Sequence, residues 1–155
     1  MADGTDVSNV VESKQYIDVM INNEQYGIDI NFIDNIVRMQ RITRVPKAQD
    51  YFPGVINLRG EIIPVMSLRR RFGFEDDVFT PKTRILILKP EPQASIGFIV
   101  DEVKEVVTVS SEDVEKISYD KEQKNHFLSG VAKYDERLIS LLDLNAVVSD
   151  STQAE

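Results

Sequence analysis

Residues Pro53 to Gly73 read P-G-V-I-N-L-R-G-E-I-I-P-V-M-S-L-R-R-R-F-G. Val55 to Leu58 can extend as one strand and Ile62 to Met66 as a second, with Arg59-Gly60 turning the chain between them. Gly60 suits a position that needs positive φ, Ser67 can cap a short helix running to Phe72, and Gly73 suits the helix stop. Pro64 has no amide hydrogen, so its strand must have an edge or a bulge there. Arg59 stands out as a charge at the turn between two apolar strands.

The stretch has a counterpart near the far end of the chain. Gly130 to Val148 reads G-V-A-K-Y-D-E-R-L-I-S-L-L-D-L-N-A-V-V. A shift of 76 places Gly54-Val55 on Gly130-Val131, Ile62-Ile63 on Leu138-Ile139, Val65-Met66 on Leu141-Leu142 and Ser67-Leu68 on Asp143-Leu144. Upstream, a shift of 70 places Tyr26-Gly27-Ile28 on Ile96-Gly97-Phe98, and Ile33, Ile36 and Val37 on Val103, Val106 and Val107. Two ordered matches at nearly one spacing indicate an internal duplication, with about six extra residues in the second copy.

A chain of 155 residues suits one domain, or two small ones sharing a core. Its net charge of −8 opposes general affinity for nucleic acid or anionic membrane. Without cysteine it has no disulfide or thiolate metal site. No signal-peptide core or long apolar run is present, which makes a cytoplasmic protein without membrane insertion the expectation. The charge is uneven: residues 38–71 hold eight basic and two acidic side chains, a local excess of +6. Such a patch could meet an acidic partner.

In chain order, 1–14 reads as a disordered segment and 149–155 as a tail. Tyr16 to Ile21 alternates as a half-buried strand, Asn22-Asn23 turns, and Gln25 to Ile28 returns. Asp29 or Asn31 can cap a helix reaching about Met39, in which Ile30, Ile33, Ile36 and Val37 form one face. Ile42 to Val45 reads as a short strand ended by Pro46. The acidic loop within 74–82 is the expected boundary between the halves. Ile85 to Leu88 is continuously apolar, as a strand buried on both faces would be. Strands follow over Ile96 to Val100 and Val103 to Val109, then a charged loop over Asp120 to Asn125. A last hairpin runs from Phe127 to Leu142, and Asp143 caps a terminal helix to Val148. Many short strands and a duplicated plan fit two small packed β-barrels better than a sandwich.

Little here supports catalysis. His126 is the only histidine, no G-x-S-x-G is present, and Glu61 stands where a phosphate loop needs lysine. Asp101-Glu102 and Asp76-Asp77 lack the spacing of a calcium loop. Nucleic-acid binding through the basic 38–71 region is the alternative, weakened by the absence of interleaved aromatics; only Tyr51, Phe52 and Phe72 lie in or near it. An interaction module is the class that survives.

The run Gly54 to Phe72, with its N-x-R-G-x-I-x-P-V core, resembles the signature of the CheW family of chemotaxis coupling proteins. Tyr26 to Ile30, Ile42 to Pro46, Gly97 to Val103 and the Gly130-Val131 hairpin with Leu141-Leu142-Asp143 extend the likeness over about Gln15 to Val148. The resemblance implies a mainly β fold of two intertwined SH3-like five-stranded barrel subdomains with short helices, within one domain over 15–148. It implies no enzymatic activity and no cofactor. Its implied partners are the regulatory domain of the histidine kinase CheA and the cytoplasmic tips of methyl-accepting chemoreceptors. Ile33, Arg59 and Val103 match family positions implicated in receptor contact. Asn35 stands where the family often has a Glu, on the preceding helix, paired with Arg59. Ile42, Gly54 and Gly60 match strands and turns implicated in kinase contact. Two relatives, CheA and the receiver-fused CheV, carry the same domain. No kinase domain precedes Tyr16 and no receiver follows Val148, so a stand-alone coupling protein is expected.

Overall fold

The computed structural model describes residues 12–91, 94–117 and 127–149. His126, the loop over Asp120 to Asn125 and nearly all of the two expected terminal segments lie outside them. Eleven strands and two short helices make up the described chain. The first repeat supplies β1 (Ser13–Ile21), β2 (Glu24–Asp29), β3 (Ile33–Arg38), β4 (Gly54–Leu58), β5 (Glu61–Ser67) and α1 (Leu68–Arg71). The second supplies β6 (Arg84–Glu91), β7 (Ala94–Val100), β8 (Glu102–Ser110), β9 (Val114–Lys116), β10 (Leu128–Tyr134), β11 (Arg137–Leu142) and α2 (Leu144–Val148).

These strands form two sheets, one in the order β9-β10-β11-β2-β1-β8 and the other in the order β3-β6-β7-β5-β4. The duplication explains both orders. Replacing each strand of the five-stranded sheet by its counterpart in the other repeat gives β8-β1-β2-β11-β10, which is the six-stranded sheet without β9. Parallel contacts occur at equivalent places, Leu141 opposite Gly27 and Val65 opposite Gly97. Each repeat therefore lends strands to both sheets. The loop 74–82 separates the repeats, but it joins two elements of one sheet. The chain crosses between sheets at Asp29–Ile33 and Val100–Glu102.

Burial follows from this exchange. Ile85 and Ile87 fill the interior of the five-stranded sheet with Ile56, Ile63, Val65 and Ile99. On the opposite face of β6, Leu86 and Leu88 join a larger core between the sheets, with Ile17, Val19, Ile28 and Phe98. Period-2 geometry sends the two pairs to opposite faces, so the unbroken apolar run is a strand buried on both sides. Val107, Val109, Ala132, Ile139 and Leu141 form a third cluster inside the six-stranded sheet.

Both expected helix caps are present. Ser67 Oγ accepts from the Arg70 amide and Asp143 Oδ1 from the Ala146 amide, one at the start of each short helix.

Four expectations need correction. The helix expected from Asp29 or Asn31 to Met39 is a single 3-10 turn, Ile30–Phe32, followed by strand β3. Its β-branched Ile33, Ile36 and Val37 suit a strand, and pairing with β6 covers that strand's open edge. Strand β3 is thus the counterpart of β8 across the duplication. Ile42 to Val45 is not a full strand: it makes one bridge, Thr43 to Val55, where the second copy has the three-residue β9. That strand brings one sheet to six strands instead of five. At the N-terminus, Ser13 and Lys14 belong to β1 and pair with Ser110 and Val109.

Candidate docking surfaces

The signature hairpin is built by its turn. Arg59 and Gly60 both have positive φ, 55° and 86°, as a two-residue turn between antiparallel strands requires. Asn57 Oδ1 accepts from the Gly60 amide at 3.1 Å and fixes the turn. A Cβ added to Gly60 would meet nothing within 4 Å, so backbone conformation rather than space calls for glycine here. Arg59 projects from the tip. It is exposed and makes no ion pair or side-chain hydrogen bond among the described residues.

Gly54, at the other end of β4, answers a different demand. A Cβ there would lie 2.1 Å from the Thr43 carbonyl oxygen and 2.9 Å from Ile42 Cγ2. The missing side chain lets the strap 38–49 lie against β4, where Thr43 and Val55 exchange two backbone hydrogen bonds of 2.8 Å. Ile42, half-buried, packs on the interior of the five-stranded sheet. Two of the three residues matched to kinase contact, Ile42 and Gly54, are thus brought together, and Gly60 sits at the far end of the hairpin.

The residues matched to receptor contact divide differently. Ile33 opens β3 and Val103 is the second residue of β8; they are counterparts across the duplication, and both pack on the core between the sheets. Asn35 lies on strand β3, not on a helix. Its Nδ2 donates to Asp34 at 3.2 Å, and its buried Oδ1 has no partner. Asn35 lies on β3 and Arg59 in the turn that follows β4, the strand at the other end of the sheet order, and no hydrogen bond joins them.

The electrostatics centre on α1, the short helix expected after Ser67, whose three arginines each find a partner. Arg69 donates to both oxygens of Asp101, at 2.9 and 2.7 Å, and Asp101 also accepts from the Asn22 amide at 2.8 Å. This ties α1 to a crossing between the sheets and to the β1–β2 turn. Burial pushes the Asp101 carboxyl up, but the Arg69 and Asn22 donors outweigh it and hold the group below the usual range. Arg70 grips Asp76 at 2.8 and 3.1 Å. Arg71 donates to the carbonyls of Val147 and Ser149, both at 2.8 Å, at the C-terminal end of α2. Asp77 accepts from Ser67 Oγ at 2.5 Å, and burial raises its carboxyl.

Sequence reasoning missed Asp18. It is fully buried in β1, a strand expected to be half-buried, although Tyr16 and Met20, which alternate onto the same face, are only partly buried. Oδ2 accepts from Gln25 at 2.6 Å and from Arg137 at 3.4 Å, and Oδ1 has no partner. Burial is the largest influence and raises its carboxyl, against the pull of Arg137 and Gln25.

Residues 15–152 match a family model described as a CheW-like domain. The chain is 32% identical over 149 residues to the chemotaxis protein CheW of Bacillus subtilis, covering 95% of each. It is 31% identical over 137 residues to CheW of Helicobacter pylori, covering 88% of this chain and 82% of that one. A crystal structure of the scaffolding protein TtCheW from Thermoanaerobacter tengcongensis superposes with a TM-score of 0.81 at 30% identity, covering 90% of this chain and 95% of that one.

Proposed function

This chain belongs to the CheW family and folds as two intertwined SH3-like subdomains, and from that premise we propose that it couples chemoreceptor tips to the histidine kinase CheA in the cytoplasm. The reading is supported by the family match over residues 15–152 and by the packing of the two groups of matched residues on different apolar clusters. Ile33 and Val103 lie against the core between the sheets, whereas Ile42 and Gly54 lie along the β4 edge of one sheet. A molecule with this layout can hold two partners at once.

We assign receptor contact to Ile33, Val103 and the exposed guanidinium of Arg59, with Asn35 shaping the strand beside Ile33. Kinase contact falls to Ile42 and the hairpin, whose shape depends on Gly54 and Gly60. The mechanism is equilibrium bridging without catalysis: each partner binds its own surface, and signalling shifts their relative geometry. Moderate affinities suffice, because an array makes later contacts effectively intramolecular.

Isothermal titration with the regulatory domain of the cognate CheA, and separately with a receptor-tip fragment, tests the assignment. Wild type is expected to bind each at micromolar affinity or tighter. Arg59→Ala is expected to weaken the receptor fragment by about tenfold and leave the kinase domain within about twofold. Absence of binding to the kinase domain at high micromolar concentrations would sink the coupling reading.

A further inference from the structure

Apart from Arg59 at the hairpin tip, the cations of residues 38–71 fall into two kinds. The arginines of α1 are engaged internally: Arg69 and Arg70 pair with Asp101 and Asp76, and Arg71 donates to carbonyls at the end of α2. The cations of the strap 38–49 are not. Arg38, Arg41, Arg44 and Lys47 are all exposed, and none has an ion pair or a side-chain hydrogen bond among the described residues. Ile42, between them, turns to the interior, so the charged side chains are left on the outer face of the strap.

A second feature concentrates the charge. In the pairing of β3 with β6, Arg38 stands directly opposite Arg84. Like charges opposite one another weaken a strand pair. The Arg84 guanidinium turns back onto the carbonyls of Pro81 and Thr83, at 2.8 and 2.9 Å, and meets no carboxylate among the described residues. Lys82 is exposed just before it. Segments 38–49 and 78–88 together hold six cations and no acidic residue, in a chain with 26 acidic side chains. A polar cavity of about 350 Å³ also opens at the end of the strap, lined by Arg44, Lys47 and Arg70 together with Asp50 and Phe52. It offers a recess for an inserted side chain.

We propose that this strap, with Lys82 and Arg84 beside it, is a docking surface for a carboxylate-rich segment of a partner protein. The proposal goes beyond the coupling role and needs only the charge layout. A short acidic segment senses only charges within about a Debye length, roughly 8 Å at physiological salt, and so meets the patch alone. A nucleic acid carries its charge at close intervals over a longer path and would be repelled by the acidic remainder of the molecule.

Fluorescence anisotropy with a labelled oligoglutamate peptide, beside an oligothymidylate of matched charge, tests the proposal on the full chain. The strap variant is Arg38→Gln/Arg41→Gln/Arg44→Gln/Lys47→Gln. A control, Lys14→Gln/Lys104→Gln/Lys116→Gln/Lys133→Gln, removes as much charge from exposed sites elsewhere. The strap variant is expected to lose about tenfold or more in peptide affinity and the control less than about twofold, with wild-type binding weakening as salt rises. Equal losses in the two variants, or no peptide binding by wild type, would overturn the proposal. Tighter binding of the oligothymidylate would overturn it in favour of a nucleic-acid surface. Arg38→Glu gives an independent readout. By placing opposite charges on β3 and β6 it should raise Tm by about 1–3 °C while weakening the peptide. A fall in Tm would show that Arg38 already has an internal partner, and would count against the proposal.

Discussion

The two sheets share one strand order and fill their interiors differently. In the five-stranded sheet, Ile87 pairs with Gly97 on one side and with Asn35 on the other, and packs in an aliphatic cluster with Ile56, Ile63, Val65, Ile85 and Ile99. Its counterpart in the six-stranded sheet, opposite Gly27, is Asp18. A buried aliphatic side chain has become a buried carboxylate, served by Gln25 and by Arg137 from the second repeat. The helices differ in the same spirit. Arg69, Arg70 and Arg71 of α1 correspond to Asn145, Ala146 and Val147 of α2. The arginines hold a crossing, a loop and the end of α2, so one helix ties the molecule together while the other receives the tie. Duplication preserved backbone pairing, which the ladders enforce, and left the side chains free to diverge wherever a new partner came within reach.

Exchanging the two interiors should break the comparison hardest. Ile87→Asp places a carboxylate among Ile56, Ile63, Val65, Ile85 and Ile99, with the neutral amide of Asn35 opposite it, and should cost about 4 kcal/mol or more, visible as a collapse of the urea midpoint. A loss under about 1 kcal/mol would mean that the five-stranded interior tolerates charge, as the other one does.

The paired glycines give the next effect. Gly54→Ala drives a methyl group to 2.1 Å from a backbone oxygen, whereas at the equivalent Gly130 the nearest atom is Glu115 O at 3.0 Å. We expect a loss of about 2–3 kcal/mol at Gly54 and about 1 kcal/mol at Gly130 in parallel thermal melts. Equal losses would show that the strap is not held against β4 as closely as the geometry says.

The smallest effect belongs to Asp18. Burial raises its carboxyl above the unfolded value, so the folded state favours the protonated form. The stability this group contributes is therefore complete below the unfolded pKa and lost as pH rises through the folded one. Asp18→Asn stays neutral throughout. It should match wild type near pH 3 and become the more stable protein by about 1 kcal/mol at neutral pH, in urea unfolding repeated across that range. A variant that falls behind as pH rises would show that Arg137 and Gln25 outweigh the cost of burial.

What could be read from the sequence was local chemistry. The Arg59-Gly60 turn, the Ser67 and Asp143 caps, and the doubly buried run Ile85 to Leu88 each depend on neighbours within a few residues. The duplication was legible because it repeats that local chemistry. What escaped was set at a distance. Ile33, Ile36 and Val37 satisfy a helical spacing as well as a strand, and the partner that decides, β6, begins at Arg84, far along the chain. Strand exchange between the repeats is invisible to pattern alone. Asp18 reads as the polar face of a half-buried strand until β11 brings Arg137 to it. For the docking surfaces, resemblance supplied the residue names. The structure brings Ile42 to Gly54 and sets Ile33 and Val103 on one core, but does not join Arg59 to Asn35.

The most direct measurement of coupling is the autophosphorylation rate of the cognate CheA with receptor-bearing vesicles, with and without this chain. If the chain bridges the two, the receptor-dependent rate rises only when it is present, and ligand for the receptor then changes that rate. A receptor-dependent rate that is the same without the chain would contradict the account.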